Sequence, residues 1–175
     1  TIDLVKQHFP DLPVRVGDAT ALDVSDGSYA GYFSLGVVEH REQGPQPFFE
    51  EAWRVLAPGG VAIFTVPCFN SFRRLKARLG FNRDSAEDRD FYQYAFAQDE
   101  FMELLRAAGF VIADSSKFDP IKGLKDEIPV LGRILRWRLM GWRLNRILDR
   151  MFRAFPELAD SCGHMLLVVV QKPET

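Results

Sequence analysis

From Tyr32 to Val66 the chain carries two apolar runs with an amphipathic stretch between them, and this succession restricts the fold more than any other feature. Tyr32–Val38 is apolar enough to be a strand buried on both faces, as parallel strands are. Pro47 suits the first turn of a helix, and Glu50 and Glu51 sit near its positive end. Phe49, Ala52, Trp53 and Leu56 give that helix a buried stripe. Pro58-Gly59-Gly60 ends it, and Val61–Val66 is an unbroken apolar strand. Strand, helix and strand in this order predict an α/β domain with a parallel sheet and helices on both faces.

The flanking segments fit the same plan. Ile2, Val5 and Phe9 share a helical face, with Lys6 and His8 in the last turn and Pro10 and Pro13 as stops. Val14–Val16 alternates as a short strand, closed by Gly17 and Asp18, and Asp26-Gly27-Ser28 marks a turn in the crossover that follows. Cys68–Asp90 is polar and basic, and it predicts a helix followed by a loop. Gln98–Ala108 is a helix stopped by Gly109, Phe110–Ala113 a strand, and His164–Gln171 a strongly apolar last strand. Between them the rhythm breaks. Val130–Phe155 has a helical pattern with a bend expected at Gly141, and it carries Arg133, Arg136, Arg138, Arg143, Arg146, Arg150 and Arg153 against one acid, Asp149. The chain therefore divides into a core (1–119), a basic helical insertion (120–160), and a last strand with its tail (161–175).

Composition narrows the function. At 175 residues and 47% apolar the chain can fill one sizeable core. A net charge of −2 gives no global reason to expect nucleic acid as a partner. Cys68 and Cys162 form neither a metal-binding pattern nor a disulfide framework, so no metal site and a reducing, cytoplasmic compartment are expected. Met165–Val170, the longest apolar run, is far too short to span a bilayer.

Several residues carry candidate chemistry. Asp18 directly follows a strand, where α/β sheets bind ligands. It can accept a hydrogen bond from a nucleotide amino or hydroxyl group, or make an Asx turn with its own backbone. Ala19, beside it, offers a free backbone N–H. Gly36 ends the next strand and either admits a flat ligand to the backbone or marks a bend. Glu39 and His40 come next, as base and substrate anchor or as a cap and a rim residue; His40 is the better group for proton transfer. Tyr92, Tyr94 and Phe96 alternate, so an extended backbone puts them on one side, as a pocket wall or a flap over the core. The basic insertion reads as a helix lying on anionic lipid, as a site for an anionic acceptor, or as an ordinary solvated helix pair.

Taken together, the runs Gly17–His40, Phe48–Pro67 and Phe91–Ser115 resemble the class I S-adenosylmethionine-dependent methyltransferases, in particular the type 11 group. The resemblance covers roughly residues 1–116 and the last strand, and leaves the basic insertion outside. It implies a Rossmann-like sheet with an antiparallel last strand, S-adenosyl-L-methionine as cofactor, and methyl transfer (EC 2.1.1.-) to a small-molecule or lipid-like acceptor. Asp18 then matches the residue that holds the adenine amino group, and Ala19 the neighbour whose N–H meets the ring. Ser34, Leu35 and Gly36 match the strand end against the methionine part. Glu39 and His40 match the family's Glu-His pair, here given catalytic roles. Phe69, Tyr92 and Tyr94 fall in segments that form acceptor pockets.

One departure accompanies the match. The family opens with a strand, a glycine-rich loop and a second strand, and none of these precedes the helix that ends at Phe9. In the family's strand order, 3-2-1-4-5-7-6, the two strands not found here would separate Val14–Val16 from Tyr32–Val38. The sequence thus reads as an N-terminally truncated domain that is inactive as it stands and leaves a sheet edge open to a second copy. A different class of reading is a non-catalytic scaffold that meets a partner or an anionic membrane surface through the basic helices.

Overall fold

In the computed structural model, residues 2–79, 91–128 and 138–174 are described. Their elements in chain order are α1 (Ile2–His8), β1 (Tyr29–Leu35), α2 (Gln46–Val55), β2 (Leu56–Pro67), α3 (Ser71–Arg78) and α4 (Gln98–Ala107). These are followed by β3 (Val111–Phe118), α5 (Pro120–Glu127), α6 (Arg138–Ala154), α7 (Pro156–Cys162) and β4 (Met165–Gln171). The four strands form one sheet in the order β1-β2-β4-β3. β1 and β2 run parallel, and β4 runs antiparallel to both of its neighbours, β2 and β3. The antiparallel last strand is thus where the sequence places it.

Alternation along the central strands creates the core. Ala62, Phe64 and Val66 of β2 and Leu166, Val168 and Val170 of β4 have no exposed surface. They pack with Phe49 and Ala52 of α2 and Phe101 and Leu105 of α4. Aromatic rings lock this layer edge to face, Phe49 on Phe64 at 5.3 Å and Phe49 on Phe101 at 5.7 Å. On the opposite face of β1, Phe33 and Leu35 stand 69% and 62% exposed. A second, smaller cluster joins Leu148 and Phe152 of α6 to Cys162 of α7, with Ile121 and Leu124 of α5 against them.

Several boundaries depart from the sequence-based expectation. Val14–Val16 is irregular and not a strand, and Val16 is 84% exposed. Alternation defines the two faces of a strand but supplies no ladder partner, and β1, from which the expected strand order separates this segment by two strands, is an edge of the described sheet. The first strand begins at Tyr29 and stops at Leu35, because Gly36 turns the chain at φ 68°. α2 already ends at Val55, where Leu56 becomes extended, so Pro58-Gly59-Gly60 lies inside β2. There it forms a bulge: Tyr29 pairs with Leu56 and Gly31 with Val61. β3 continues to Phe118, five residues past its expected end at Ala113. The described residues of the insertion include three helices, and α6 runs through Gly141 and ends before Pro156. The expected loop to Asp90 and the start of the basic run, with Arg133 and Arg136, lie outside the described residues.

Two polar clamps hold the frame. Arg54 of α2 reaches back to the 22–26 loop, donating to the carbonyls of Val24 (2.8 Å) and Leu22 (3.0 Å) and to Asp26 Oδ1 (2.6 Å). It also binds Glu51 in two-pronged fashion, Nε to Oε2 at 2.8 Å and Nη2 to Oε1 at 2.7 Å. Glu51 is buried and accepts from the Leu22 N–H; the guanidinium beside it holds its carboxyl below the usual range. At the same C-terminal end of α2, Lys172 donates to the carbonyls of Trp53 and Leu56, both at 2.7 Å, and caps the helix with positive charge.

Candidate functional site

A cavity of about 950 Å³ opens beyond the C-terminal end of β1. Its wall includes Asp18 and Thr20 from the clamped loop, Gly36 and His40 after the strand, Arg41, and Phe91 from the aromatic segment. Gly36 is the pivot. Its N–H extends the sheet pairing to the Thr65 carbonyl (3.0 Å), and its positive φ then throws the chain into a 3-10 turn, Val38–His40. A residue with a side chain would be strained in that conformation.

The turn separates its two candidate acid–base residues by environment. Glu39 is 2% exposed and His40 points outward, with His40 Nε2 3.8 Å from Glu39 Oε1. Burial raises the Glu39 carboxyl above the ordinary range. Glu39 Oε2 has no hydrogen-bond partner, and neither has the buried Nε of Arg41. His40 Nδ1 lies 2.9 Å from the Tyr92 carbonyl. A carbonyl only accepts, so Nδ1 carries the proton and Nε2 of the neutral ring keeps its lone pair.

A strap of extended chain, Phe91–Phe96, crosses this turn. The Tyr94 N–H donates to the Glu39 carbonyl (2.9 Å), and the Phe96 N–H donates to the Pro67 carbonyl (2.9 Å). The Phe69 N–H in turn donates to the Phe96 carbonyl (2.8 Å). Phe96 is inserted in the core, whereas Tyr92 is 74% exposed. The aromatic segment is therefore a flap at one end and a rim at the other. Tyr94 OH donates to the Glu42 carbonyl (2.7 Å), and its ring packs against Phe91 at 4.7 Å, tilted by 55°.

The remaining sequence-predicted residues are spread around this centre. Asp18 makes the Asx turn: its Oδ1 accepts from the Thr20 N–H (2.8 Å) and hydroxyl (2.7 Å). These bonds hold its carboxyl below the usual range and engage Oδ1. Ala19 lies within that turn. Ser34 is buried on the helix-covered face and Leu35 is exposed on the other, so only Gly36 of the three strand-end residues lines the cavity. The sequence reading passed over Thr20 and Arg41. The Asp18-Ala19-Thr20 spacing, a carboxylate two residues before a hydroxyl and N–H, was the signal for the first.

Comparison with known proteins gives this geometry a setting. Residues 1–64 match a family model described as a methyltransferase domain. Over 115 residues the chain is 30% identical to a probable S-adenosylmethionine-dependent methyltransferase of Mycolicibacterium smegmatis. That match covers 66% of this chain and 41% of the relative, so the chain spans about two fifths of the length of the curated protein it matches. Among solved structures, the 4+2 cyclase SpnF superposes with a TM-score of 0.57 at 18% identity, over 99% of this chain and 61% of that one. A Burkholderia thailandensis 1,6-didemethyltoxoflavin-N1-methyltransferase, solved with its substrate and S-adenosylhomocysteine, gives 0.54 at 14% identity, over 98% and 56%. At such identities the structural likeness establishes the fold alone.

Proposed function

We propose that the chain comes from a class I S-adenosylmethionine-dependent methyltransferase, as its similarity to a methyltransferase-domain model and to a probable methyltransferase supports, and that the protein transfers a methyl group to a small-molecule or lipid-like acceptor at the cavity beyond β1. The observation that carries this reading is the convergence of Asp18, Gly36 and His40 on one cavity. Its volume falls within the ordinary range for small-molecule sites. The residues present fit an adenosyl amino acid. A glycine floor admits a flat ring, and the Asp18 carboxylate accepts from an amino or hydroxyl group.

When bound, S-adenosyl-L-methionine supplies an electrophilic sulfonium methyl, and the chain's own residues orient the partners around it. His40, with Nδ1 tied to the Tyr92 carbonyl, takes the acceptor's proton at Nε2. The buried Glu39 carboxylate stands close enough to stabilise the resulting imidazolium. Tyr92 and Phe91 form the aromatic rim that the acceptor passes.

Calorimetry with S-adenosylhomocysteine on the full product of the gene tests this assignment. Asp18→Ala is expected to weaken binding about tenfold, and His40→Gln to leave it unchanged while slowing methyl transfer. Equal affinity in Asp18→Ala removes that residue from the cofactor side, and absence of binding in the unaltered protein removes the reading.

A further inference from the structure

The C-terminal helices carry a surface that the methyl-transfer reading leaves without a role. α6 keeps Leu148 and Phe152 in the small cluster below it. Its outer face carries Arg143, Arg146, Arg150 and Arg153, which helical spacing places together along one side. Among them stands Ile147, four residues after Arg143 and three before Arg150, and 60% exposed. One turn further on, the α6–α7 corner opens an apolar slot of about 730 Å³, whose wall includes Met151, Ala154, Phe155 and Leu158. Phe155 and Leu158 are 62% and 42% exposed at its mouth.

We propose that this corner docks on an anionic phospholipid bilayer, with Ile147, Phe155 and Leu158 entering the acyl boundary and the arginines meeting the headgroups. Charge complementarity selects the occupant. Among the described residues, Arg143, Arg146, Arg150 and Arg153 share this face with Asp149 and Glu157 in a chain whose net charge is −2, so positive charge is concentrated here and not general. A purely polar polyanion would meet the arginines and leave three large apolar side chains and the slot in water. A bilayer satisfies both, because membrane association grows with buried apolar area together with attraction to anionic headgroups. The Arg153–Asp149 bridge (2.7 Å) is exposed on both sides and yields readily to a phosphate.

Vesicle flotation tests this independently of cofactor binding, so it can fail without touching the methyl-transfer reading. The chain is expected to float with vesicles containing about one third phosphatidylglycerol in phosphatidylcholine, and to stay behind with phosphatidylcholine alone. Binding should fall about tenfold between low and high salt, and by at least as much when all four arginines become Gln. Ile147→Ser with Phe155→Ser, which leaves the charge intact, should also abolish flotation, while thermal melting shows that both variants remain folded. Hydrogen exchange should slow across residues 147–158 when mixed vesicles are added. Equal binding to neutral vesicles overturns the proposal. So does retained binding in the arginine variant. Full binding by the Ile147/Phe155 variant, the signature of an acidic protein or other polyanion, overturns it as well.

Discussion

The sheet core under α2 and α4 and the helical cluster around α6 draw on the same apolar residue types but close to different degrees. Phe49, Phe64, Phe101 and Leu105 have no exposed surface, and they come from segments that only the assembled sheet brings together. In the cluster, Leu148, Phe152 and Cys162 keep 6–8% of their surface, and the helices that bury them are near neighbours in the chain. Long-range burial makes the first region the determinant of the fold. The second depends on how closely α5 and α7 approach, and its outer face remains available for a different kind of contact.

Core truncations test this contrast most severely. Phe64→Ala removes the ring that touches Phe49, Tyr32 and Phe110 and should cost about 3–5 kcal/mol in chemical denaturation. Phe152→Ala, at a site that can relax toward solvent, should cost about 2 kcal/mol. Equal losses would mean that the two regions are one cooperative core.

A smaller effect is expected at the closest contact of the cluster. Gly123 of α5 lies so near the Cys162 carbonyl that an added Cβ would overlap it. Gly123→Ala should therefore cost about 1–3 kcal/mol and raise hydrogen exchange in α7 before the sheet responds. Uniform exchange would show that the cluster does not open separately.

The gentlest probe is pH, read at the seam between the regions. His164, at the start of β4, contacts Lys122 through Nε2 and Asp126 through Nδ1 (3.3 Å). Burial and then the Lys122 ammonium, with Arg73 adding to it, push the imidazole below its ordinary 6.5. The unfolded chain takes up a proton that the folded chain refuses. Stability from neutral His164 is therefore present above pH 6.5 and lost as pH falls through the folded value. Glu39 works in the opposite sense, because its carboxyl is raised: its contribution is present below 4.5 and lost as pH rises through the folded value. Melting temperature should drop on acidification just below pH 6.5, and His164→Gln should flatten that slope. An unchanged slope would move the titration elsewhere.

The sequence made the central layer legible because a buried strand or helix face writes its period into the apolar residues. β2, β4, α2 and α4 all do so. It was less informative at the edges. Asp114-Ser115-Ser116-Lys117 hides half of β3, since an edge strand with one wet face has no reason to be apolar. Val14–Val16 alternates yet has no partner. At the site, Gly36, Glu39 and His40 are legible as residue types at and after a strand end, and Asp18 as a turn-forming carboxylate after a segment that alternates without pairing. The Glu51–Arg54 clamp was not: charges three apart on a helix read as surface decoration until the 22–26 loop folds back onto them. The orphaned Nε of Arg41 depends on burial, which no spacing encodes.

Three main-chain hydrogen bonds help anchor the strap over the site, Tyr94 N–H to Glu39, Phe96 N–H to Pro67 and Phe69 N–H to Phe96. The side chains at positions 92 and 91 take no part in these three bonds. Such a rim can be rewritten residue by residue, changing the shape and polarity of the cavity mouth, while the Val38–His40 turn beneath it keeps its place.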